Sequence, residues 1–157
     1  MKLLRRLRVR LSRCGPGESG SAVVEFLGVG LVLLVPVVYL IITLGRVEAA
    51  TFAADGAARD AGRLIAQADT FDQGLAEAAL AVELAFADQG LDVDGGRVLQ
   101  VTCEEDPCLS PGAYLHLEVA TDVPLPLVPP FLDEALGTTV HVQAQAMTAV
   151  DDFREAP

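Results

Sequence analysis

The sequence predicts an α+β protein: a long N-terminal helix whose first half crosses a membrane, a second helix, and a small antiparallel sheet of three strands. Three observations carry that prediction. Residues 26–44 are nineteen consecutive positions without a charge, and about 20 apolar residues suffice to cross the hydrocarbon core as a helix. Alanines then recur every four residues from Ala49 to Ala61, a helical spacing in the residue of highest helix propensity. Downstream the apolar period falls to two, the signature of half-buried strands.

The chain opens on a basic leader, residues 1–20, with Lys2, Arg5, Arg6, Arg8, Arg10 and Arg13 and no acid before Arg13. Beside an apolar run such a tip marks the cytoplasmic flank in preference to a nucleic-acid site. Arg46 is the single cation that follows the run closely. The N-terminus therefore stays inside and the remainder is exported, which gives a single-pass protein of the cytoplasmic membrane. Residues 21–44 are the membrane helix and residues 45–157 the extracytoplasmic α+β domain. Pro36 removes one backbone hydrogen bond, which membrane helices tolerate, and Tyr39 reaches toward the outer interface. The rival reading is a cleaved secretory signal. Its apolar region is shorter, about 7–15 residues, and ends at a small-x-small site; Val47-Glu48-Ala49 is a poor match. A lipoprotein signal fails because Cys14 precedes the run.

The helix is predicted to continue to Ala68. Ala49, Ala53, Ala57 and Ala61, with Ala50, Ala54 and Ala58 beside them, form a smooth ridge that another helix can approach closely. Two readings stand: the ridge packs within its own domain, the preferred one, or part of it packs on another subunit. Asp55 with Arg59 and Asp60 with Arg63 are opposite charges at helical spacing, and Gly45, Gly56 and Gly62 weaken the helix locally. A second helix is predicted over residues 71–89, with Leu75, Ala79, Val82 and Phe86 as its apolar stripe, Asp69 or Thr70 as N-cap and Gly90 at its end. Val98 to Thr102, Leu115 to Val123 and Val140 to Ala146 read as strands. Their apolar faces lie opposite His116, Glu118 and Asp122 on the second and His141, Gln143 and Gln145 on the third. Asp94-Gly95-Gly96 and Ser110-Pro111-Gly112 read as turns. The Pro-Leu-Pro-Leu-Val-Pro-Pro stretch before Phe131 is excluded from a central strand; it suits an apolar loop on the membrane surface, on a partner, or on its own helix.

The formal net charge is −11. From Glu48 onward twenty acids face four arginines, which repels phosphate backbones and argues against nucleic acid. Cys103 and Cys108, four residues between them, suit a disulfide in an oxidising compartment, while Cys14 suits a free cytoplasmic thiol. His116 and His141 come near each other only if their strands pair suitably, and no third metal ligand is visible. Glu104-Glu105-Asp106 reads as a solvated turn. No phosphate-binding loop, dinucleotide fingerprint or nucleophile elbow occurs. The expectation is a protein with no catalytic residues, no cofactor and no small-molecule substrate.

The junction between leader and span reads Gly20-Ser21-Ala22-Val23-Val24-Glu25-Phe26. Glu25 is the only charge between Ser21 and Arg46. A carboxylate in a membrane helix costs about 2.5–3.5 kcal/mol at the centre and less near the interface, so such groups usually have a partner. This junction resembles the type IV prepilin cleavage site, where a membrane peptidase cuts after a glycine and the fifth mature residue is glutamate. The resemblance implies a cut between Gly20 and Ser21 and places Glu25 fifth; Gly15 and Gly17 do not place it so. It also implies that Glu25 pairs with the free amine of a neighbouring subunit. The chain is more closely similar to the TadE-like minor pseudopilins of tight-adherence (Flp) pilus assembly, actinobacterial type. The residues concerned are that junction, Pro36, Gly45-Arg46, Ala57-Ala58-Arg59-Asp60-Ala61-Gly62-Arg63, the Cys103 and Cys108 pair, Val123-Pro124-Leu125-Pro126-Leu127 and Val150-Asp151-Asp152-Phe153-Arg154. The resemblance implies a pilin-like fold, Glu25 and Phe26 as assembly residues, and partners among the lipid bilayer, the prepilin peptidase and other pilin or Tad assembly proteins. The alternatives are an unprocessed, membrane-anchored binding domain and, behind it, a non-catalytic subunit of a membrane enzyme.

Overall fold

A computed structural model describes residues 19–128 and 137–154. The basic leader with Cys14, and the segment with Phe131 and Leu132, lie outside the described residues. The element order is α1 (Ser19–Gln67), α2 (Phe71–Ala87), a single turn of helix α3 (Gly95–Val98), then β1 (Leu99–Cys103), β2 (Tyr114–Pro124) and β3 (Thr139–Ala149). The three strands form one antiparallel sheet in the order β1-β2-β3. This is the α+β architecture the sequence predicts. The chain divides into two compact units, Met1–Ile41 and Ile42–Pro157.

In the first unit α1 is bare. Val24, Phe26, Val32 and Leu33 are each 65% or more exposed. None of the most apolar stretch of this helix is buried, and it is the one described helix long and apolar enough to cross a membrane. A core helix of a soluble protein would be covered. Each large apolar side chain left in water forgoes about 1.5–3 kcal/mol. Over this run the loss reaches tens of kcal/mol, well beyond the 5–15 kcal/mol by which a domain is stable.

The second unit has a core built from small residues on one side and large ones on the other. Ala50, Ala53, Ala54, Ala57, Ala58, Ala61 and Ile65 of α1 are buried, together with Leu115, Leu117, Val119 and Val123 of β2, Leu99 of β1 and Val142 of β3. The alanine ridge from Ala50 to Ala61 is thus buried within its own chain, as the preferred reading has it. Gly62 shows how close the helix comes to the sheet. A Cβ there would lie 2.3 Å from Thr148 Oγ1 and 3.1 Å from Leu117 Cδ1. The glycine that weakens α1 in isolation is what lets it seat on β2 and β3.

Helix α2 is capped by Thr70, whose side chain accepts from the Gln73 amide, and ends at Ala87, two residues before the predicted end. Gly90, at φ 68°, reverses the chain, and the Leu91 amide donates back to the Phe86 carbonyl at 3.0 Å. The buried stripe is Gly74, Ala78, Val82 and Phe86, while Leu75 is only partly buried. The predicted stripe of Leu75, Ala79, Val82 and Phe86 is therefore corrected at its start. A Cβ on Gly74 would lie 2.8 Å from Ile65 Cα, so the smallest residues, not the most apolar, face α1. Asp94-Gly95-Gly96 is likewise not a simple turn. It opens α3, with the Arg97 and Val98 amides donating to the Asp94 carbonyl. Val98 belongs to that turn and β1 begins at Leu99.

The strand faces follow the predicted alternation. Leu115, Leu117, Val119 and Val123 point inward on β2, and His116 and Asp122 outward. The predicted turn at Ser110-Pro111-Gly112 is present, with the Ala113 amide donating to the Ser110 carbonyl at 3.1 Å. Register separates the histidines: His116 lies opposite Met147, and His141 opposite Asp122.

Candidate functional site

Gly20, Ser21, Glu25 and Phe26 lie together in the first turns of α1. The helix forms here because Ala22, Val23 and Val24 carry no competing polar side chain, and nothing interrupts the hydrogen-bond ladder before Pro36. Ser21 and Glu25 are one turn apart at i and i+4, hence on the same face. Ser21 and Glu25 are exposed, and Phe26 is 76% exposed. Glu25 has no side-chain hydrogen bond or ion pair with any described residue. Its carboxylate stands at the head of a bare apolar helix with its acceptor positions open. A carboxylate in that setting can accept from a cationic or N–H group brought by another chain.

Cys103 and Cys108 are joined by a disulfide across Cα atoms 5.1 Å apart. The bridge closes the start of the β1–β2 connection, where the Glu104 amide continues the ladder to the Tyr114 carbonyl at 3.1 Å. Glu104, Glu105 and Asp106 are exposed on that loop. Among the described residues no group of His, Cys, Asp and Glu is arranged to hold a metal ion. His141 Nδ1 instead lies 3.0 Å from Asp122 Oδ1 on the open face of the sheet. Beside it, Gln145 donates to Glu118 at 3.3 Å over a shallow polar hollow lined by Gln100, Thr102 and His116.

No protein-family model, curated protein or solved structure matches the chain.

Two arginines do more than their sequence positions suggest. Arg154 donates to the carbonyls of Ala66, Ala68 and Asp69 at 3.2, 2.7 and 3.0 Å. It thereby satisfies acceptors that the end of α1 leaves open. Its partners are more than eighty residues away in sequence, so no local pattern announces it. Arg46 reads in the sequence only as a flanking charge, yet its Nε is buried without a partner. Arg59, Arg63 and Arg97 each pair with a near neighbour, Asp55, Asp60 and Asp94. The pairs at Asp55 and Asp60 are those predicted.

Proposed function

We propose that this chain is a membrane-anchored minor pseudopilin of the TadE-like kind, cut after Gly20 and acting in the assembly of a tight-adherence pilus. The observation that carries the reading is the unpaired Glu25 at the head of an exposed apolar helix. That helix continues without a break into the core of a folded unit through Gln67. Continuity favours an anchor over a discarded signal, because removing the helix after its apolar run would sever the alanine ridge from the start of the same element. The N-terminus inside, the folded unit outside and residues 26–44 in lipid follow from the basic leader. Cleavage exposes a new amine at Ser21. In the low dielectric of a membrane that amine on one subunit and Glu25 on the next attract and neutralise each other. The protein works by holding subunits in register and needs no catalytic group of its own.

N-terminal sequencing of the chain recovered from membranes of its native host tests the cut: a mature start at Ser21 is expected, and an intact Met1 in peptidase-competent cells favours the unprocessed anchored domain. Glu25→Ala is expected to leave cleavage intact while reducing the assembled fraction at least tenfold, read by co-purification of partner subunits. Unchanged assembly would show that Glu25 does not pair subunits.

A further inference from the structure

The two edges of the sheet differ in kind. β1 is 5 residues long. β3 is 11 residues long, pairs with β2 in an unbroken register from Thr139 to Ala149, and ends the strand order. The direction of its backbone groups follows from the bonds that continue the ladder at either end. The Leu125 amide donates to the Thr138 carbonyl at 2.8 Å, and the Val150 amide donates to the Ala113 carbonyl at 2.8 Å. Successive residues of an antiparallel strand turn their N–H and C=O groups to alternate sides. The even-numbered residues from Val140 to Thr148 therefore face β2. His141, Gln143, Gln145 and Met147 turn theirs to the outer edge, where among the described residues these groups meet no partner. Such a row of free donors and acceptors is a template for another strand, and proteins guard against it with short edges, prolines, charged side chains or bulges. β1 is short. Thr139–Ala149 is long, holds no Pro, Asp, Glu, Lys or Arg, and has no bulge in its register.

What guards this edge is the charge of the unit around it, and that charge selects the occupant. From Glu48 onward twenty acids and four arginines leave a net charge of −16, and no lysine follows Lys2. Two copies brought edge to edge repel each other, whereas a cationic segment is drawn in. On its core side the strand presents Ala144 and Ala146, both only partly buried, which leaves room for larger apolar side chains on a neighbouring strand. On its open side it presents the uncharged, exposed Gln143 and Gln145. We infer that the outer edge of β3 takes an extended, basic segment of another protein as an added strand. That segment is apolar at the alternate positions that pass Ala144 and Ala146, and it carries Lys or Arg on the opposite face. Main-chain bonds hold it, and the alternating side chains select it. The inference concerns the second unit alone and stands whether or not the chain is cut at Gly20 or pairs through Glu25.

The test reads amide hydrogen exchange by NMR on the full ¹⁵N-labelled chain in nonionic detergent micelles. Without a partner, the amides of His141, Gln143, Gln145 and Met147 should exchange fast, and those of Val142, Ala144 and Ala146 slowly. The probe is a short synthetic peptide that alternates valine and lysine. It is expected to slow the four outward amides about tenfold or more, saturably, and to leave the inward ones unchanged. The same peptide N-methylated throughout keeps its charges but has no amide to donate, and should bind about tenfold more weakly or worse. A valine–glutamate peptide should not bind, and added salt should weaken the lysine peptide several-fold. Gln143→Pro removes an outward donor and no bond to β2, and should abolish the protection. Gln143→Lys, which keeps the backbone of the strand should the proline variant misfold, should weaken the lysine peptide several-fold by like-charge repulsion. Absence of protection with the lysine peptide overturns the inference, as does equal protection by the methylated or the glutamate peptide. Protection of the same amides that rises with protein concentration in the absence of peptide makes a second copy the occupant and overturns it too.

Discussion

The two stretches of α1 obey opposite rules. Before Ile41 the large residues, Phe26, Leu27, Val32 and Leu33 among them, are exposed, with Phe26 at 76%. After Ala50 the small ones are hidden, Ala54, Ala58 and Ala61 at 0%. In water, burial goes with size, because each added methylene gains about 0.8 kcal/mol on leaving solvent. A helix that shows its leucines and hides its alanines within one continuous element has, in its first stretch, the length and apolarity to cross a membrane. On the membrane-anchored reading the bulky side chains of that stretch meet lipid, and nothing is gained by turning them inward. In the second, close approach of α1 to the sheet is worth more than side-chain volume, and the large partners Leu117, Val119 and Phe86 come from other elements.

That contrast can be broken from either side. The largest effect is expected for Phe86→Ala, which empties a fully buried position in the second unit. A loss of about 3–5 kcal/mol should lower the thermal midpoint of the folded unit in detergent while retention in membranes resists alkaline extraction unchanged. Leu34→Arg attacks the other stretch. A charge near the middle of the apolar run costs about 2.5–3.5 kcal/mol of insertion. It should move a measurable fraction of the chain out of the membrane pellet, with the thermal midpoint of whatever remains folded unaltered. The smallest effect is expected for Arg59→Ala. Its pair with Asp55 sits on the exposed face with both side chains well solvated, at 66% and 43%, and such pairs contribute about 0.3–0.5 kcal/mol. Chemical denaturation should show a change no larger than that, since the pair ornaments the solvent side of a helix whose other side does the packing.

The uncharged run, the alanine ridge and the alternating strands were legible because each is a local pattern whose period equals that of the element it forms. His116 and Asp122 point outward for the same reason. What escaped the sequence depends on neighbours distant in the chain. Leu75 is the more apolar residue, yet Gly74 takes the buried position because Ile65 of α1 stands 2.8 Å from where its Cβ would be. Gly95 reads as a turn residue, but the Ala79 carbonyl oxygen comes within 2.0 Å of its absent Cβ, and its amide meets Glu83 at 3.2 Å. Helical backbone fits that space and a side chain would not. Of the candidate site, Glu25 was legible as a charge out of place. Arg46 was visible only as a flank, since nothing local says that Leu91, Val93 and Val123 would gather around it.

The clasp of Arg154 on the carbonyls that end α1 has a bearing on when the second unit can be completed. A chain is made in order from its N-terminus, and here the last turn of α1 waits for a group 88 residues later than Ala66. Until β3 and the residues behind it have been made, the alanine ridge lacks part of its cover and the helix end lacks its guanidinium. Closure of this unit is thus timed to the end of synthesis, and a chain that stops before Arg154 leaves those carbonyls open.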